Sequence, residues 1–239
     1  MRKERIKNRI LEIILWILGI LMMIPFALVI LTSLKDTQSA GLFQLNIPKI
    51  LHFENYITVW KEGAILQGFK NSVIIAVPMC IFSLFCSSLL SFYLARVKTK
   101  FSKFLYIFIV MGMAAPLSIA TTFLLLKQLS LINTRMGIIL VQTALEIPFT
   151  SFIMVGFVEG LPKELDEAAT LDGCNAYQMF FRVIMPLLKP VLATTLVLAL
   201  LDSWNDAQVS LFFLTDSNKW TMPLNVNRFS HRYTSEWNW

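Results

Sequence analysis

Five stretches of this chain are apolar for roughly twenty residues or more, and that repetition dictates most of what it can fold into. A helix needs about 20 mostly apolar residues to cross a bilayer. The stretches are Ile10–Thr32, Ser72–Ala95, Phe104–Leu126, Gly137–Val158 and Leu187–Leu214. Hydrophobic residues make up 56% of the chain and charged residues 15%, against roughly 25% charged in a soluble domain. The expected architecture is an all-α polytopic transmembrane bundle, one domain over 1–239. Pro25, Pro78, Pro116 and Pro148 fall within the first four runs and are expected to interrupt them. Membrane helices tolerate such breaks when neighbours or water take up the freed carbonyls. The first run is longer than a usual signal-peptide core and no small-residue cleavage site follows promptly, so it reads as an uncleaved helix.

Orientation follows from the basic residues. Arg2, Lys3, Arg5, Lys7 and Arg9 precede the first run, and Arg96, Lys98, Lys100 and Lys103 fill the short loop after the second. Cytoplasmic loops collect Lys and Arg, so both segments and the N-terminus are expected inside. The 35–71 stretch, with Tyr56 and Trp60, is then outside. The net charge of +6 comes from these span-flanking clusters and does not point to nucleic acid.

Between the fourth and fifth runs lies a polar island, 159–186. It reads as two short helices broken at Gly173. Pro162 fits a first helical position, where its missing N–H costs nothing. Leu161, Leu165, Ala168 and Ala169 recur at helical spacing and predict one small-residue face. Gly173 suits the left-handed conformation that ends a helix. Asn175 and Gln178 have capping-box spacing, with Asn in place of Ser or Thr. A membrane protein with such a helix pair on one short loop is expected to present it to a soluble partner. The alternative, a DNA-reading helix-turn-helix, fails on charge. Glu159, Glu164, Asp166, Glu167 and Asp172 outnumber Lys163 and Arg182, and DNA affinity rests on neutralising phosphates. A featureless connector would need neither the cap signals nor the small-residue face.

Other chemistries find little support. Cys80, Cys86 and Cys174 are odd in number and do not make a disulfide framework; they read as small apolar fillers. His52 and His231 lie far apart with no cluster of metal-ligand spacing beside them. The sequence has no phosphate-binding glycine loop of the Walker type, no nucleophile elbow and no paired catalytic His and carboxylate. No cofactor is expected on the chain, and no enzymatic activity.

Glu167-Ala168-Ala169, then Gly173 four residues after the second Ala, then Val183, Met185 and Pro186 resemble the EAA loop of permease subunits in binding-protein-dependent ABC importers. The usual ending is Ile-x-Leu-Pro; Val183 and Met185 are conservative replacements. Leu131-Ile-Asn-Thr134, Trp204-Asn205, Asn55-Tyr56 and Asn71-Ser72 resemble the carbohydrate branch, and within it the second of two paired permeases of maltose and glycerol-phosphate type. The resemblance runs from about Pro25 to Phe229. It implies a type I importer permease fold in the bacterial cell membrane. The implied partners are a second permease, two cytoplasmic ATPase subunits that bind the ATP, an external solute-binding protein, membrane lipid and a carbohydrate substrate. It implies that Glu167, Ala168, Ala169, Leu171, Asp172, Gly173 and Pro186 carry the ATPase contact. Glu167 would pair with a basic group, Ala168 and Ala169 would allow close approach, Gly173 would set the turn, and Pro186 would aim the second helix into the fifth run. Permeases for amino acids, peptides or phosphate, and stand-alone secondary transporters, fit the branch motifs or the polar island less well. A permease of this type has a sixth span and a short cytoplasmic tail. Five runs precede Trp239, so a sixth is expected beyond it.

Ionisable groups deep in a span usually face a cavity or a partner. Glu146 in the fourth run and Asp202 and Asp206 in the fifth are such groups, and Glu146 and Asp202, with Trp204 and Asn205 beside the latter, are candidates for a substrate path. Carboxylates and amides accept hydroxyl hydrogen bonds, and an indole ring covers the apolar face of a sugar. The competing expectation is that they hold helices together or touch the second permease.

Overall fold

The computed structural model describes residues 2–42, 44, 46–48 and 50–229, without the side chains of 2–6 and 10. His231 and the expectation placed on the C-terminal end fall outside these residues. Every regular element among them is helical, as the apolar runs predict. The chain forms two compact units, 1–65 with 225–239 and 66–224.

The first unit contains α1 (Arg2–Ser33), α2 (Thr37–Ala40) and α3 (Glu54–Glu62). Pro25 sits inside α1 without breaking it. Trp16, Met22, Val29 and their neighbours are exposed, an apolar surface that suits lipid or a protein partner and not water. The last carbonyls of a helix need outside donors. Here Asn55 Nδ2 donates to Ser33 O and Lys35 O, both at 2.9 Å, and Tyr56 Oη meets Ser33 Oγ at 2.8 Å. The Asn55-Tyr56 pair thus fastens α3 to the end of α1. His52 hydrogen-bonds to the exposed Glu54, and that bond holds the Glu54 carboxyl below its ordinary range.

The second unit holds the membrane core. Its long helices are α4 (Ile65–Arg96) and α7 (Arg135–Glu159), with α5 (Lys100–Ala114) and α6 (Ile119–Gln128) between them. After α7 come α8 (Glu164–Leu171), α9 (Ala176–Gln178), a π-helical stretch Met179–Ile184, α10 (Met185–Leu187), α11 (Lys189–Asn205) and α12 (Gln208–Phe213). Among the described residues, the helices ending or starting at Lys7–Ser33, Ile65–Arg96 and Arg135–Glu159 are long and apolar enough to span a membrane. Two bent pairs make up to five.

The break at Pro116 is as expected, whereas the unbroken helices at Pro25, Pro78 and Pro148 and the division of the fifth run are not. The run Phe104–Leu126 is two helices, α5 and α6, at 112°. Ala115 before Pro116 is extended, φ −76° and ψ 121°, because the proline ring disfavours the helical region in the residue ahead of it. Ser118 is also extended, so α6 restarts in a new direction. Pro78 and Pro148, by contrast, lie in unbroken helices. The run Leu187–Leu214 is likewise divided. The segment Ala176–Leu187 meets α11 at 74°, and α11 ends at Asn205. There Asp206 is extended and caps α12, its carboxylate accepting from Val209 N at 3.1 Å.

The buried face of α4 is a stripe of small residues. Ser72, Ala76, Cys80, Ser83, Ser87, Ser91 and Ala95 are all buried, which lets backbones approach closely where lipid gives no hydrophobic drive between helices. Ser87 Oγ reaches Ile147 O on α7 at 3.4 Å. One cluster, with Ile75, Met79, Ile138, Val141, Ala199 and Phe213, fills the end near the α7 N-terminus. A second, with Met154, Val158, Phe180, Ile184, Leu188 and Val191, fills the other end.

Polar side chains close the first end. Asn71 is fully buried and donates to Asn218 O and Trp220 O, both at 2.9 Å, while its Oδ1 accepts from Arg135. Asn133 takes a left-handed φ of 57°, which Asn tolerates. Its N–H donates to Phe213 O, its Oδ1 accepts from Asp216 N, and its carbonyl accepts from Lys219 Nζ. Thr134 caps α7 through Gly137 N at 3.0 Å. Each buried polar group left without a partner costs about 1–3 kcal/mol. Asn71→Leu is therefore expected to lower the melting temperature of the detergent-solubilised protein markedly. Asn218→Ala, which keeps the backbone carbonyl that Asn71 uses, should leave it nearly unchanged.

Candidate functional site

The polar island folds as the cap signals predict at its centre. Gly173 has φ +81°. Around it, Cys174 N donates to Ala169 O at 2.9 Å and Gly173 N to Thr170 O at 3.0 Å, the paired bonds of a Schellman end. A side chain at Gly173 would meet open space, so the requirement is backbone conformation and not room. Asn175 and Gln178 form the expected reciprocal capping box, with bonds of 2.9 and 3.0 Å.

Two details differ from expectation. Pro162 precedes the helix, and α8 starts at Glu164 behind Lys163. The predicted small-residue face is divided between two sides. Ala169 is buried and Leu161 half-buried, whereas Leu165 and Ala168 are exposed. This division has a use. Ala169 belongs to the buried side of α8, which packs on Met179–Ile184, and Glu167, Ala168, Leu171, Asp172 and Gly173 remain accessible. Leu171 is 89% exposed and Tyr177 78%, so the chain itself leaves the tip of the turn uncovered. Glu164, Asp166 and Glu167 in the first turn of α8 complement the positive end of its dipole.

Pro186 lies in α10, just before the 74° bend. It has no N–H to return to an earlier carbonyl. The preceding turn is a π-helix in which Met185 N reaches Phe180 O. Pro190, in the first turn of α11, has the same defect without penalty at a helix start. Both prolines flank Leu188, where the direction changes.

Sequence reasoning missed what holds this segment in place. Arg96, read only as an orientation signal, has its Nε 2.5 Å from Asp166 Oδ2. That approach is off the N–H axis, so it is a charge contact and not a hydrogen bond. Arg96 also donates to Leu161 O at 3.3 Å and to Asp166 Oδ1 at 3.4 Å. The two side chains are only 11% and 18% exposed. Lys98 adds a solvated pair with Glu159 at 2.6 Å. The end of α4 thus grips both the connector into α8 and α8 itself. Nothing in the sequence pairs residues 70 positions apart; the one available signal was an Arg set directly at the end of an apolar run.

Inside the membrane unit, three of the four substrate-path candidates come together. Glu146, Asp202 and Asn205 line one open groove of about 470 Å³ with Leu145, Phe149, Leu198 and Leu201. Glu146 is 6% exposed and accepts from Thr150 Oγ1 at 2.5 Å. Trp204 is not in the lining. Its ring packs edge-on against Phe69 with centroids 5.5 Å apart, because on a helix its side chain points away from that of Asn205. Beside the groove, Gln142 bridges Asp206 at 3.0 Å and Ser203 at 2.7 Å and ties α7 to the end of α11.

Residues 87–230 match the family model described as binding-protein-dependent transport system inner membrane component. The chain belongs to that family. It is an ABC transporter permease, an integral membrane subunit. It is 31% identical to the diacetylchitobiose uptake system permease protein of Streptomyces coelicolor, over 88% of this chain and 70% of that one. To the melibiose/raffinose/stachyose import permease protein of Bacillus subtilis it is also 31% identical, over 96% and 84%. The fold is similar to a chain in the crystal structure of a bacterial ABC transporter involved in import of the acidic polysaccharide alginate. The TM-score is 0.82 at 22% identity, with 96% of the permease and 81% of that chain covered.

The Arg96 contact makes a measurable claim. Exposed pairs contribute at most about 1 kcal/mol, and breaking one side of a fully buried pair costs about 3–5 kcal/mol. With both side chains largely buried, Arg96→Ala should destabilise the 159–186 segment by about 2–4 kcal/mol. The readout is faster limited proteolysis at that segment in membrane-embedded permease. Arg96→Asp combined with Asp166→Arg should recover only part of the protection, since the bonds to Leu161 O are not restored.

Proposed function

We propose that this permease imports a carbohydrate, driven by separate ATPase subunits that dock on the 159–186 segment. The observation that carries the reading is the helix pair at the end of the membrane core, folded, braced and yet uncovered at Glu167, Ala168, Leu171 and Gly173. A helix turn with small residues and an exposed Leu suits a cleft on a soluble partner. The EAA pattern at these positions supports the same role. A second permease, an external solute-binding protein and ATP held by the ATPase subunits complete the assembly. The N-terminus and the segments 96–103 and 159–186 face the cytoplasm.

Carbohydrate is favoured over other solutes by two independent considerations. The relatives named above are uptake permeases for diacetylchitobiose and for melibiose, raffinose and stachyose. The groove offers carboxylate and amide acceptors beside Phe149, a combination that suits hydroxyls and the apolar face of a pyranose. Trp204 drops out of this role and Phe149 takes the aromatic place.

Two sets of variants test the reading. Glu167→Lys and Gly173→Leu should abolish uptake while the permease remains in the membrane; a desolvated charge pair broken on one side costs about 2–5 kcal/mol. ATPase copurification and protein level measured together separate lost docking from a misfolded loop, and normal uptake by both variants refutes the coupling role. For the groove, Glu146→Gln and Asn205→Ala should shift affinity or preference across a panel of sugars. Unchanged uptake and unchanged preference at normal expression would leave these residues a purely structural role.

A further inference from the structure

A cavity at the junction of α4, α5 and α7 lies apart from the groove, and only its Lys98–Glu159 pair enters the roles above. We propose that it binds the phosphate headgroup of an anionic phospholipid. Its volume is about 330 Å³, within the range of about 300–1,000 Å³ usual for small-molecule sites. Leu94, Val155 and Tyr106 supply apolar lining, and Lys98, Lys103, Thr99 and Ser102 supply polar lining. Ser102 carries the argument. It is 3% exposed, and among the described residues its hydroxyl has no hydrogen-bond partner although it lines the cavity. The hydroxyl opens onto the cavity, where it is available to pair with a ligand atom. Its own N–H is satisfied by Thr99 Oγ1 at 3.1 Å, which leaves the Thr99 hydroxyl hydrogen free to donate to another acceptor.

Charge selects an anion. Glu159 in the lining is neutralised by Lys98. Lys103 has no carboxylate at ion-pair distance among the described residues. The cavity also sits at the N-terminal turn of α5, whose dipole favours negative charge. Position selects a lipid over a free anion. The basic segment 96–103 lies where two membrane helices end, and the lining continues into apolar residues that would meet an acyl chain. Anionic headgroups of the cytoplasmic leaflet attract such segments. The inference rests on the membrane orientation proposed above and is separable from the transport reading.

Native mass spectrometry of the complete transporter, exposed in detergent to phosphatidylglycerol or phosphatidylcholine, tests it. Lys103→Gln should lower retained phosphatidylglycerol about fivefold, the effect of one lysine at an anionic surface. Lys103→Arg should keep it, Ser102→Ala should weaken it, and phosphatidylcholine binding should not respond. Lys103 is exposed, so its variants fold. Equal phosphatidylglycerol retention by wild type and by Lys103→Gln with Ser102→Ala overturns the site. Displacement of the lipid by inorganic phosphate alone overturns the lipid assignment in favour of a free anion. Labelling of a single cysteine at Thr99 from outside intact cells, with Cys80, Cys86 and Cys174 removed, overturns the cytoplasmic-leaflet assignment while leaving the detergent arms readable.

Discussion

Inside a bilayer no water reaches a bare N–H or C=O, so a chain this apolar must pair its own backbone. Helices do that along their length and fail at their ends and breaks. Several polar side chains of the second unit are placed at those failures. Asn133 and Asn71 serve the loop that follows α12, Thr134 serves the start of α7, and Asp206 serves the gap between α11 and α12. Asn175 does the same at the polar island. A residue that looks like a motif in the sequence is, in each of these cases, an answer to an unpaired backbone group.

The other end of the membrane core solves a different problem. A short helix with eight residues, α8, is too short to be stable alone. It is held by the buried Ala169, by packing on the π-helical stretch, and by Arg96. Arg is suited to this position because its fork can serve a carboxylate and a carbonyl together. The arrangement leaves one side of the helix committed to the permease and the other side open, with Leu165, Ala168 and Leu171 exposed among its acidic residues.

Much of this was legible in the sequence where the cause is local. Gly173 and the Asn175–Gln178 box are set by residues within three positions of each other, and both were found. The helical class and the approximate runs follow from composition. What could not be read is what depends on distant support. Pro78, Pro116 and Pro148 look alike in sequence, yet only the one preceded by an extended Ala115 and followed by an extended Ser118 turns the chain. The partner of Arg96 lies 70 residues away. Trp204 and Asn205 are neighbours in sequence, but helical geometry sends one to Phe69 and the other to the groove.

The groove and the coupling segment share their helices. Glu146 lies on α7, which continues to Glu159 and joins α8 through four residues. Asp202 and Asn205 lie on α11, which begins one residue beyond α10. From Lys189 to Asp202 is a rise of about 20 Å at 1.5 Å per residue. Both walls of the groove are therefore rigid rods whose far ends meet the segment proposed to receive the ATPase. The Gln142 bridge to Asp206 and Ser203 ties the two rods at the groove end, and the Arg96 contact ties α4 to the segment at the other. On the proposed reading, a displacement at α8 reaches the groove as a tilt of packed helices, with no need for a flexible relay.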